Sequence, residues 1–479
     1  MNSAQVYPER TLSHKCDSVL RRQKMLREPL FMLALITLPF SAQGIEPYGI
    51  TLEVSYLCVL AFSLIYFWSI PPRHLDREDK IYFLFLFFAV ISLGYNIVRC
   101  RVSILEELSG LRFSMRQLAH LFRFLLFYMI YKSFKEFLST GDWVYRQHLF
   151  YKGLIAAAWI PALYGSYQFF AQRFSWPLAS INNLHGVGAF LTPHYLDDLR
   201  GSFYTIIATF GEAKTYAGFL LGIIPLLMGI RATMKRETSF KSFLPVSKSS
   251  SKWLVVLIGT LIAHFALGFS RTAYITLVLL VLFIFLFISR KAALVICILV
   301  LIFLVGASLF MGKPPFSLLG GMWTSVWEFG DIGRKIIERW MVVLRYVKES
   351  PLLGYGLGNV LEEPIMIVTR SRVTLWFGAP GVLGQLLPGV GILGTVPFLV
   401  FLASHVWLSL ANLRRLDRKD GLYSLLLFSL VAVVGAWTIR FIHFHANATM
   451  PWIVLAENVA LNRVAERLIQ TARGDREDS

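Results

Sequence analysis

Charge is scarce in this sequence, and acidic charge scarcest. Only 16% of its 479 residues are Asp, Glu, Lys or Arg, against roughly a quarter in soluble domains. The 29 acidic residues face 47 lysines and arginines, a formal balance of +18. Such a chain is not a soluble multidomain enzyme. Nor is it intrinsically disordered, because disorder goes with high charge and few aromatic residues. Cysteine is also sparse, with Cys16, Cys58, Cys100 and Cys297 widely spaced. That spacing excludes a disulfide framework and a zinc knuckle. What the chain has in quantity is apolar sequence, 56% hydrophobic and 15% aromatic, gathered in runs of about 18 to 22 residues, long enough to cross a ~30 Å hydrocarbon core as helix. The basic residues are not clustered as a nucleic-acid groove would require; they sit between the apolar runs.

That arrangement predicts an all-α polytopic membrane bundle of about twelve spans, near 30–45, 50–69, 81–98, 114–133, 151–170, 204–230, 253–269, 272–289, 292–311, 382–411, 422–439 and 449–466. Arg21, Arg22, Lys24 and Arg27 stand just before the first span, a strong cytoplasmic anchor. With both termini inside, the cytoplasmic segments hold more than half of the 47 Lys and Arg residues. Eight of the others lie in one long outer loop, whose charge biases topology little. The first apolar run has no small-residue cleavage site and leads into further spans, so a cleavable signal peptide is not expected. The chain divides into a basic N-terminal segment (1–28), spans one to nine (29–311), a large outer loop (312–381), spans ten to twelve (382–466) and a cytoplasmic tail (467–479). Within the loop, Ile336, Ile337, Trp340, Met341, Leu344 and Val347 fall on one face of a helical pattern over 333–348. That pattern suits a helix lying flat in the outer interface.

Ionisable side chains inside spans are costly unless paired or facing a wet interior, so they are the first functional candidates. In span four, Arg116, His120 and Arg123 follow i, i+4, i+7 spacing and share one helix face. Either they surround a buried anion, or Arg116 snorkels to the interface and Arg123 pairs with a neighbouring glutamate. Glu212 and Lys214 are expected about two turns or more into span six. Arg271 sits in the turn between spans seven and eight, and Arg440 and His443 share a face at the end of span eleven. Arg116, Arg123, Arg200, Lys214, Arg271 and Arg440 all map to the outer half of the membrane. If folding gathers them, they form a basic cavity suited to a lipid pyrophosphate. No metal ligand set is expected: His443 and His445 are badly spaced for a clamp on a helix, and Asp197–Asp198 lacks a third ligand.

Three segments resemble the O-antigen ligase and O-antigen/exopolysaccharide polymerase superfamily. They are Arg200-Gly-Ser-Phe with Phe210-Gly-Glu212 and Tyr216-Ala-Gly-Phe-Leu; Ala266-Leu-Gly-Phe-Ser-Arg271-Thr-Ala; and Gly333-Arg334, Trp340 and Glu349-Ser-Pro-Leu-Leu-Gly354-Tyr-Gly-Leu-Gly358-Asn359. The ligases also carry a His-Asn pair nine residues before a G-x-x-G. Here Gly391-Ile-Leu-Gly394 is present, with Pro380 and Gly381 in place of the pair, which weakens a ligase assignment more than a polymerase one. The resemblance implies a GT-C-like bundle in the bacterial inner membrane, with its site facing the periplasm. It would transfer glycan from an undecaprenyl-pyrophosphate donor to a lipid-linked acceptor, without cofactor or metal. A chain-length regulator is a possible partner, and no nucleic acid is involved. On this reading Glu212 and His443 are the candidate bases. Arg116, His120, Arg123, Arg200, Lys214, Arg271, Arg334 and Arg440 bind substrate. An anion transporter is the reading from a different class, and a scaffold without activity a further one.

Overall fold

The computed structural model describes residues 26–40, 44–45, 52–69, 75–98, 113–174, 176–177, 206, 208–210, 213–235, 251–268, 271–298, 301, 340–357, 365–369, 372–376, 381–442 and 449–477. Helices dominate them. In chain order they are α1 (26–36), α2 (Val54–Ser69), α3 (Arg77–Val98), α4 (Phe113–Ser139), α5 (Trp143–Phe174), α6 (Ala213–Met234), α7 (Ser251–Leu267), α8 (Arg271–Phe287), α9 (290–298), α10 (340–349), α11 (Gly381–Arg415), α12 (Gly421–Ile442) and α13 (Met450–Glu477). Two short antiparallel ribbons accompany them: Gly44–Ile45 with Leu52–Glu53, and Ile365–Thr369 with Arg372–Trp376.

Among the described residues, four helices are long and apolar enough to cross a membrane: α3, α11, α12 and Thr215–Met234 of α6. Their surfaces are those of a membrane-embedded bundle. On α3 the exposed face is apolar (Leu84, Phe87, Val90, Ile91), while the buried face carries Asp79, Ser92 and Asn96 among Tyr82, Phe85 and Ala89. The α8 surface is likewise apolar, with Ile275, Val278, Leu282 and Leu286 outward. A water-soluble helix has the opposite arrangement. With lipid outside, polar side chains gain by turning inward to hydrogen-bond.

The centre of the bundle is aromatic, with Tyr82, Phe398, Phe401, Trp437 and Trp452 packed at ring separations of 5.0 to 6.4 Å. At one end, where α3 begins and α4 finishes, six charged groups interlock. Lys132 Nζ lies 2.5 Å from Asp79, Lys135 Nζ is 2.9 Å from Asp76 and 3.1 Å from Asp79, and Arg463 binds both Asp76 and Glu136. Burial raises the pKa of Asp76, but Lys135, Arg463 and Lys132 outweigh it and hold this carboxyl at about 2. Three positive charges against three negative leave the knot neutral, which is how buried charge is tolerated. A second polar stripe follows α13. Tyr151 Oη donates to Glu457 at 2.7 Å and Ser429 also donates to it, while Asn462 joins Asn412 at 2.9 Å.

The structure corrects several expected boundaries. The first helix ends near residue 36, followed by a turn over 37–39. α6 begins only at Ala213, so Lys214 lies in its first turn rather than two turns inside. Span ten is not a continuous helix: at Gly391 the backbone leaves helical geometry (φ 62°, ψ −169°). The outer-loop amphipathic pattern appears as α10 over its described part. Met341 and Leu344 are exposed there, while Val343 is buried.

Candidate functional site

A small cavity of about 20 Å³ opens at the end of the bundle opposite the charge knot. α4 contributes His120, Arg123, Phe124 and Phe127, placed together by i, i+3, i+4 and i+7 spacing. α12 contributes Trp437 and Arg440, α11 Val382, Gln385 and Phe398, and α13 Trp452. Among the described residues the lining holds two guanidiniums and an imidazole but no carboxylate. Its other walls are mostly aromatic. Arg123 stacks over the Phe127 ring at 5.5 Å, and Arg440 is 6% exposed. The Gln385 amide meets His120 Nδ1 at 3.4 Å. A pocket with this charge attracts an anion, and its water-poor aromatic walls strengthen the attraction. Guanidinium donors match phosphoryl oxygens in geometry as well as charge.

Glycine-mediated close packing builds this end of the bundle. A Cβ at Gly381 (φ +74°) would lie 1.8 Å from the carbonyl oxygen of Phe441, so α11 starts pressed against the turn that follows Arg440.

One turn beyond Gln385 the α11 helix breaks, and segment 350–357 fills the gap. Tyr355 N–H donates to the Pro388 carbonyl and Gly356 N–H to that of Gly389, both at 2.7 Å. In return Ile392 N–H donates to Pro351 O at 2.8 Å and Leu393 N–H to Leu352 O at 3.2 Å. From α3, Ser92 Oγ donates to Gly389 O and Asn96 Nδ2 to Gly354 O. Backbone groups freed by a break at membrane depth must find protein partners, and these do. The motif Glu349-Ser-Pro-Leu-Leu-Gly-Tyr-Gly thus docks on Gly391-Ile-Leu-Gly394, two stretches that the sequence left unconnected.

Of the site residues expected from sequence, His120, Arg123 and Arg440 come together in the cavity. Arg116, Lys214 and Arg271 lie in described helices, but their side chains are outside the described residues, as are Arg200, Glu212, Arg334, His443 and the Asp197–Asp198 pair. Sequence reasoning missed Trp437 and Gln385. Trp437 precedes Arg440 by three residues, a same-face spacing that was legible; Gln385 carried no such signal. It also missed His264, buried between Tyr216 (Oη to Nδ1, 2.9 Å) and Ser166 (Oγ to Nε2, 3.1 Å). That approach relies on Gly165, whose Cβ would sit 2.8 Å from the His264 ring. His264 does not line the cavity; with both ring nitrogens engaged, it ties α5, α6 and α7 together. No family model matches the chain, and no curated protein matches it.

Proposed function

We propose that this chain is a membrane glycosyltransferase of the bacterial inner membrane that polymerises undecaprenyl-pyrophosphate-linked oligosaccharide repeat units at the periplasmic face. The observation that carries the reading is the convergence of His120 and Arg123 with Arg440, more than three hundred residues away, in one aromatic-walled cavity with no acidic lining group among the described residues. In this reading the bundle has twelve spans with both termini in the cytoplasm, so the cavity opens outward and the charge knot lies inside. The pyrophosphate of the donor lipid sits on Arg123, Arg440 and His120. Arg116, Arg200, Lys214, Arg271 and Arg334 complete a basic surface for donor and acceptor lipids.

The chemistry follows from the charges. An acceptor hydroxyl attacks the anomeric carbon, the bond from that carbon to the pyrophosphate oxygen breaks, and the pyrophosphate leaves with the electron pair. Preorganised guanidiniums stabilise the charge developing on it. Glu212 or His443 accepts the hydroxyl proton. A glutamate held among arginines is a weak base, which favours His443 and leaves Glu212 to orient a guanidinium. The docked 350–357 segment braces the α11 wall that carries Gln385. A chain-length regulator is a further proposed partner.

The test is the surface polysaccharide of a deletion strain, resolved on a gel beside lipid A-core. Single repeat units on the core are expected. Loss of all core-attached glycan, with polymer retained on the lipid carrier, would make the protein the ligase. An unchanged profile would overturn glycosyl transfer. One observation favours a second reading, an anion transporter: α11 is interrupted at Gly391, and broken helices near substrate are a transporter device. No matching break in the other half of the chain occurs among the described residues.

A further inference from the structure

Trp437 carries an unexplained donor. It lines the cavity, is only 6% exposed, and its indole N–H has no partner among the described residues. Packing holds the ring rigidly: Trp452 meets it edge-on at 5.0 Å and 81°, and Phe398 at 5.9 Å and 68°. An indole nitrogen only donates. A buried donor without an acceptor is unfavourable, so a ligand oxygen that reaches it gains from the contact. Gln385, 1% exposed on the facing helix, is a second neutral group, and among the described residues its side chain has only the long 3.4 Å contact to His120.

The two kinds of donor in this cavity differ in what they select. Arg123 and Arg440 are charged forks matched to phosphoryl oxygens. The indole N–H and the carboxamide are uncharged, fixed in direction and set among the aromatic faces of Phe398 and Trp452. Neutral donors beside aromatic faces complement a ligand with neutral oxygens on an otherwise C–H-rich surface, as a sugar ring has. We propose that Trp437, assisted by Gln385, hydrogen-bonds a neutral oxygen of the sugar attached directly to the pyrophosphate, so that the site selects glycosylated lipid pyrophosphate over the bare carrier. This rests on the glycosyl-transfer reading and adds a specificity residue to it. A site built to hydrogen-bond a substrate oxygen discriminates against the analogue that lacks it, which here is the spent carrier lipid leaving after transfer.

The experiment measures binding to the full-length protein in lipid nanodiscs with three probes: inorganic pyrophosphate, a polyprenyl pyrophosphate, and the same lipid bearing one hexose. Trp437→Phe keeps the aromatic wall and removes only the donor. It is expected to weaken the hexosyl lipid about three- to tenfold, the loss of one neutral hydrogen bond, and to leave the other probes unchanged. Gln385→Leu is expected to give the same pattern and serves if the Trp437 variant does not fold. Arg440→Gln is expected to weaken all three. Equal weakening of all probes by Trp437→Phe would mean that the indole meets phosphate and would overturn the sugar assignment, as would no change at all. If Arg440→Gln instead leaves every probe at wild-type affinity, the anion site itself fails, whatever Trp437 does. If the wild type binds no probe, both readings fail.

Discussion

Replacing Gly391 with alanine tests whether the docked loop and the broken helix are one structural unit. The added Cβ would lie 2.1 Å from the Leu352 carbonyl oxygen and 2.3 Å from its carbon, against backbone that cannot rotate away. Gly391 also combines φ 62° with ψ −169°, a region essentially reserved for glycine, in which another residue is strained by about 1–3 kcal/mol. Relieving the collision pushes segment 350–357 off the helix and breaks the hydrogen bonds from Ile392 and Leu393 to Pro351 and Leu352, worth about 1 kcal/mol each. The sum is about 3–5 kcal/mol, enough to undock the loop while the rest of the bundle persists. The control is two residues away: a Cβ at Gly389 meets nothing closer than 3.4 Å. Gly389→Ala is therefore expected to stay within about 1 kcal/mol of wild type. Amide hydrogen exchange at Tyr355 and Gly356, with thermal unfolding of the detergent-solubilised proteins, reads both. Unchanged exchange in Gly391→Ala, or equal effects of the two substitutions, would refute the docking argument.

Asp79→Asn leaves Lys132 and Lys135, both almost fully buried, without their shared carboxylate. It is expected to destabilise the protein by about 3–5 kcal/mol, measured as a lower unfolding temperature. Asp76 has a folded pKa lowered to about 2, so its stabilising contribution is complete above the ordinary carboxylate value near 4. It is lost as the pH falls towards 2, and unfolding midpoints across that window should drop less in an Asp76→Asn variant. Arg123→Gln is expected to weaken pyrophosphate binding about tenfold or more, as loss of a charge-assisted hydrogen bond does, read by titration. Arg200→Ala and Arg271→Ala should each abolish long-chain glycan while the protein remains in the membrane, which gel profiles and membrane blots check together. Chelation by EDTA should leave transfer by the purified protein intact; strong metal dependence would return attention to Asp197–Asp198.

Much of the molecule was legible because helical periodicity is local. The i, i+3 and i+4 spacing that put His120 and Arg123 on one face is a property of the helix, and the cavity takes both from that face. The apolar runs announced their helices for the same reason: a segment that long and apolar has no other way to satisfy its backbone in lipid. Boundaries were less legible. Nothing in the composition around Glu212 and Lys214 marks a helix that starts as late as Ala213.

What the sequence determined by itself was the helical membrane class and which ionisable residues share a helix face, since both depend on the local order of side chains. What only the tertiary structure decided was which distant faces meet. Trp437 and Gln385 joined the arginines because α12 and α11 pack against α4. Lys132 and Lys135 of α4 and Arg463 of α13 were brought onto Asp76 and Asp79 at the start of α3. The Gly354 motif found its partner in the break at Gly391 because the freed backbone groups of a membrane helix require one. Pairings of that kind are set by close packing and hydrogen-bond satisfaction between segments far apart in sequence, and no local pattern records them.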